Sequence, residues 1–98
     1  MKTENLKMMY RQMNELAKNA MWLTEIAKKN KEKNNHEMAK YFQACSKQLM
    51  QMVRNLQERA ENIATEMEKS EECNNAYHEF YMATLSWYNR IEQEITEI

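Results

Sequence analysis

The sequence contains no glycine, no proline and no aspartate. Without glycine the tight hairpin turns that join β-strands lack their usual residue, so a β-rich fold is not expected. A phosphate-cradling loop and a dinucleotide fingerprint both need glycine and are excluded. The EF-hand loop needs both aspartate and glycine and is excluded as well. The longest uninterrupted apolar run, Ala20-Met21-Trp22-Leu23, falls far short of the roughly 20 residues that span a bilayer. The opening MKTENLKMMY has no apolar signal core. Two cysteines, Cys45 and Cys73, are too few for a disulfide framework, so reduced thiols and a cytoplasmic location are expected, with no membrane partner.

What is present reads as helix. Hydrophobic residues make up 43% and charged residues 30% of the 98 positions, a globular balance. The mean hydropathy of −0.96 suits long amphipathic helices that each expose a full polar face. A single domain over 1–98 is expected at this length. Net charge is −1 but unevenly spread. Residues 1–33 carry eight Lys/Arg and four Glu (+4), residues 34–69 five of each, and residues 70–98 one Arg and six Glu (−5).

Three periodic segments follow one another. Leu6, Met9, Met13, Leu16, Ala20, Leu23 and Ala27 recur at 3-4-3-4 spacing, a heptad seam widened by Tyr10, Ala17 and Thr24. Thr3 is a candidate N-cap. The pattern stops in the polar stretch 28–35, where lysines suit a helix C-terminus and asparagine can take the left-handed conformation in place of glycine. A second seam holds Met38, Phe42, Cys45, Leu49, Met52 and Leu56, then drifts to Ala60, Ile63, Ala64 and Met67. A polar gap at 69–75 offers Ser70 or Asn75 as the next cap. The third segment carries Tyr77, Phe80, Tyr81, Thr84, Trp87, Tyr88, Ile91, Ile95 and Ile98 at helical spacing. The expectation is an all-α, antiparallel up-down-up three-helix bundle with helices at about 3–31, 36–69 and 75–97, or four helices if the second breaks near 57–62. Up-down-up packing sets the basic first helix beside the acidic third.

No constellation supports catalysis or a metal. His36 and His78 lack the Glu-x-x-His and His-Glu-x-x-His spacings of helical metal sites. Two cysteines and two histidines could form a zinc site only if Cys45 left its apolar seam. Ten methionines could bind copper(I), but Met9, Met13, Met38, Met52 and Met67 fall on seam positions and read as core filler. Cys45 on an apolar stripe is an inert thiol, and Ser46 and Ser86 lie mid-helix without a neighbouring histidine. No enzyme, cofactor or small-molecule substrate is expected.

Two features remain. Trp22 falls on the side of the first helix away from its seam, with Met8 two turns before it and Ile26 one turn on. Leu85 and Met82 in the third segment, and Met50 in the second, also fall off their seams. Large apolar groups outside a core mark partner surfaces, and tryptophan is enriched among residues that dominate binding. The expected function is therefore a non-enzymatic helical interaction module, an adaptor or inhibitor of the kind phages and mobile elements encode, with Met8, Trp22, Ile26 and Leu85 meeting a protein partner. The second feature is the cluster Lys28, Lys29, Lys31 and Lys33. It suggests an alternative, a nucleic-acid-binding bundle, against the plain reading of a solvated helix end. A structural homo-oligomer is the third possibility.

Overall fold

A computed structural model describes the backbone of residues 2–66 and 71–98, and the side chains of 4–63 and 84–98. Three helices follow in order: α1 (Lys2–Glu32), α2 (His36–Glu66) and α3 (Glu71–Thr96). The body they form measures 54 × 19 × 15 Å, about the length of one 31-residue helix. α2 runs unbroken through 57–62, so the four-helix alternative is not realised. Among the described residues no helix is long and apolar enough to cross a membrane.

The first reversal is made without glycine. Asn34 takes φ 62°. Its N–H donates to the Lys31 carbonyl at 3.0 Å, and the Asn35 N–H reaches back to the Asn30 carbonyl at 2.8 Å. This is the Schellman pattern with asparagine at the left-handed position. Asn35 then opens α2, its carbonyl accepting from the Ala39 N–H at 3.0 Å. The expectation for this turn holds. Two others need correction. Thr3 lies inside α1 rather than capping it. α3 begins at Glu71, so Asn74 and Asn75 are helical rather than part of a turn. Glu71 and Glu72 at the helix start favour the earlier beginning, because the N-terminal dipole attracts negative charge. Residues 67–70, with Met67, Lys69 and the candidate cap Ser70, lie outside the described residues. So do the side chains of Ala64, Cys73, Tyr77, His78, Phe80, Tyr81 and Met82.

The core differs from the expected seams in a systematic way. On α1 the buried residues are Leu6, Tyr10, Met13, Ala17, Ala20, Thr24 and Ala27. Met9, Leu16 and Leu23 are only half-buried. On α2 the buried residues are Ala39, Ser46, Met50, Val53 and Ala60. Phe42, Cys45, Leu49 and Leu56 are half-buried, while Met38 and Met52 are exposed. Small side chains thus dominate the buried face of α2, at heptad spacing (39, 46, 53, 60), and that of α1 from Ala17 to Ala27, while Leu6, Tyr10 and Met13 fill the other end of α1. Small residues let two helices approach closely, and this pair makes the most extensive contact in the fold. Phe42, Leu49, Met52 and Leu56 on α2, and Leu16 and Leu23 on α1, are displaced to the flanks. Met50, placed off the seam from the sequence, is core, and Ser46 is buried too. The Ser46 hydroxyl donates to the Ala20 carbonyl at 3.1 Å, and the Thr24 hydroxyl donates to the same carbonyl at 2.7 Å. Both hydroxyls are thereby satisfied without opening the helices.

α3 packs on one flank of this pair. Tyr88, Ile91 and Ile95 are its fully buried side chains among those described. It runs parallel to α1 and antiparallel to α2. Tyr88 donates to Asn14 at 2.7 Å, Lys28 meets Glu94 at 3.6 Å, and Lys31 donates to the Ile98 carbonyl oxygen at 2.5 Å, so both helices advance together. Gln43, near the start of α2, reaches the Ile95 carbonyl at 2.8 Å near the end of α3. The charge asymmetry is met in part among the described residues, by Lys28 of α1 with Glu94 of α3. Its best-formed pair, however, joins α3 to α2: the Arg54 guanidinium donates to both carboxylate oxygens of Glu92.

Candidate functional site

The residues that touch α3 define the opposite side of the hairpin. Asn14 on α1 and Met50 and Arg54 on α2 face α3. A residue two positions on is turned about 200° around the helix. Those residues, Leu16, Met52 and Leu56, line an open groove of about 710 Å³ between α1 and α2. Arg11, Gln12 and Glu15 complete its α1 wall, and Asn55 and Arg59 its α2 wall. The same hairpin therefore has two grooves, back to back across the small-residue seam. α3 occupies one. The other has an apolar floor and no covering element among the described residues.

The exposed large apolar side chains fall on the stripes that run through this second groove. Five are exposed: Trp22 (62%), Tyr41 (60%), Met8 (58%), Met52 (50%) and Met38 (41%). Met52 lines the groove itself. Met38 precedes Met52 by fourteen residues and Tyr41 precedes Asn55 by fourteen, so each shares a heptad stripe with a groove residue two steps along. On α1, Met8 and Trp22 lie seven residues either side of Glu15. Tyr41 also packs edge-on against half-buried Phe42, ring centroids 5.4 Å apart.

The residues singled out from the sequence divide accordingly. Met8 and Trp22 are exposed, Ile26 is half-buried, and all three occupy one arc of α1. Leu85 is half-buried and stands one heptad before Glu92 on α3, across the hairpin from that arc. The structure does not bring it to the others. Lys28 and Lys31 are engaged with Glu94 and Ile98 at the end of α3, while Lys29 and Lys33 are exposed. His36 is exposed at the start of α2, and Cys45 is a half-buried free thiol. No three His, Cys or Glu side chains gather at metal-binding distance among the described residues.

The α2 half of the surface went unread in the sequence. Met38 and Met52 were assigned to the core because large apolar residues at 3-4 spacing look like a seam. The signal that separates them is the small-residue heptad one position further on, Ala39, Ser46, Val53 and Ala60, which is the true centre. Compared with protein-family models, curated proteins and solved structures, the chain matches nothing.

Proposed function

We propose that this chain acts by contact rather than catalysis: a helical interaction module, an adaptor or inhibitor, that docks a protein partner on the open α1–α2 groove. One observation carries the reading. All five exposed large apolar side chains among the described residues lie on stripes of α1 and α2 that pass through or beside that groove. Burial of such groups gives association its main favourable term, and tryptophan and tyrosine are prominent among the residues that dominate it. Trp22, Met8 and Ile26 extend the surface along α1. A cytoplasmic setting fits a chain with only two cysteines, of which Cys45 is a free thiol. The volume of the groove is within the range of small-ligand sites, but it is a trough along two helices, a shape better suited to another helix than to an enclosed small molecule. The nucleic-acid alternative is weakened because two of its four lysines hold the end of α3.

The test is site-specific photo-crosslinking in the cells that make the protein. A crosslinker at position 52 or 22 should trap one protein species, a crosslinker at exposed Asn89 on α3 should not, and Leu56→Glu should abolish the first. Equal trapping at all three positions, or none at 52 and 22, overturns the reading. Trapping of the chain by itself alone would make it a homo-oligomer.

A further inference from the structure

Arg11 and Arg59 stand on opposite walls of the open groove. They stand about one helical turn apart along the hairpin, since Ala20 lies across from Ser46 in this antiparallel pair and Arg11 therefore across from Asn55. Both are exposed, and neither forms an ion pair or hydrogen bond with another described residue. The single carboxylate on the walls, Glu15, is paired with Lys18 at 3.7 Å, one turn along α1. The open groove is therefore an apolar trough, floored by Leu16, Leu56 and Met52, with one uncommitted guanidinium on each side.

The filled groove shows what such a trough accepts. There α3 lays Tyr88, Ile91 and Ile95 along the floor. Glutamates on either side of that stripe meet one cation on each wall, Glu92 with Arg54 of α2 and Glu94 with Lys28 of α1. The molecule thus contains one worked example of a helix seated between α1 and α2: an apolar stripe with a glutamate paired to a cation on each side, Arg90 standing beside Glu94 on the α1 edge.

We propose that the open groove takes an acidic amphipathic helix from the partner, with the same chemistry as α3, and that Arg11 and Arg59 select it. This rests on the reading of the groove as the docking surface. The apolar floor supplies affinity, and the two guanidiniums supply orientation and discrimination, because a guanidinium pairs with carboxylate through two parallel hydrogen bonds and repels a basic helix. A second copy docked groove to groove would crowd four arginines around one apolar seam, which the same repulsion opposes.

The test uses the full chain and two synthetic three-heptad peptides, both with Leu at a and d, one with Glu at e and g and the other with Lys. Like-charge repulsion keeps each peptide from pairing with itself. The acidic peptide should bind at least roughly tenfold more tightly than the basic one. Arg11→Glu with Arg59→Glu should reverse the preference, and Met52→Glu should abolish binding of the acidic peptide. All three side chains are exposed, so circular dichroism should show the fold retained. Equal binding of both peptides, binding of neither, or binding of the acidic peptide that ignores Arg11 and Arg59 overturns the proposal. A concentration-dependent dimer in sedimentation that Met52→Glu dissolves would overturn it in favour of a second copy. If crosslinks at positions 52 and 22 identify a partner while the acidic peptide fails, only this inference falls and the docking surface stands.

Discussion

The two grooves of the α1–α2 hairpin differ less in their floors than in their walls. Both floors are apolar. The filled one is closed by Tyr88, Ile91 and Ile95 and locked by polar contacts that set its register: Asn14 with Tyr88, Arg54 with Glu92 and Asn89, and Gln43 with Ile95. The open one keeps its arginines unpaired among the described residues and its Met52 in solvent. An apolar trough favours any apolar helix. The polar groups along its edges decide which helix and in what register, since a misplaced charge or an unmet donor carries a penalty that a misplaced methyl does not.

If the filled groove is part of the folding core and the open one is not, matched truncations should separate them. Tyr88→Ala should cost about 3–5 kcal/mol in urea denaturation, as for large aromatic truncations in cores. A small cost, similar to that of Met52→Ala, would mean that α3 is a loose appendage rather than part of the core. Ala20→Leu acts on the seam that separates the grooves. The extra methylenes should force α1 and α2 apart at a cost of about 1–3 kcal/mol, read in the same assay.

The same tyrosine makes the filled groove sensitive to alkali. Burial pushes the Tyr88 phenol up to about 12 from an ordinary 10.0, against the opposing pulls of a Thr84 hydrogen bond and the Arg54 charge. The folded state therefore holds this proton more tightly than the unfolded chain does. Its stabilising contribution is complete below pH 10 and should be lost as pH rises toward 12. Stability measured across that window should fall more steeply in the native chain than in Tyr88→Phe. Identical slopes would show that the phenol is hydrated.

Smaller effects complete the series. Arg54→Ala removes the best-formed lock of the filled groove, but both partners are partly exposed, so a loss of about 1 kcal/mol is expected. A loss above about 3 kcal/mol would mark the pair as effectively buried. Trp22→Ala and Met52→Ala should shift stability by no more than about 0.5 kcal/mol, the usual range for surface positions. If either unfolds the chain, that side chain belongs to the core and the open groove is not a free surface.

Much of the fold was legible because it depends on local chemistry. Heptad spacing located the helices, and the run 30–35 without an apolar residue located the first turn, where Asn34 does what glycine usually does. The precise rotation of each helix was not legible. Leu16 and Leu23 on α1, and Met52 and Leu56 on α2, satisfy a seam pattern as well as Ala17, Thr24, Val53 and Ala60 do. Periodicity places both sets on the inward side and cannot choose between them. Either choice leaves Trp22 off the seam, and the structure shows it exposed. The location of Met38 and Met52 on a groove depended on which choice was right.

The sequence by itself determined that this chain is helical, that it reverses in the polar stretch 30–35 without glycine, and that Trp22 and Met8 lie off the seam of the first helix. These follow from residue propensities and from the angle between neighbours on one helix, which no partner helix alters. Only the tertiary structure decided that small side chains dominate the buried face of α2, that α3 takes one flank, and that the other flank carries two arginines, unpaired among the described residues, over an apolar floor. That choice is collective. It depends on how closely two helices can approach and on which flank offers α3 its hydrogen-bond partners, quantities that belong to pairs of helices and to no single stretch of chain.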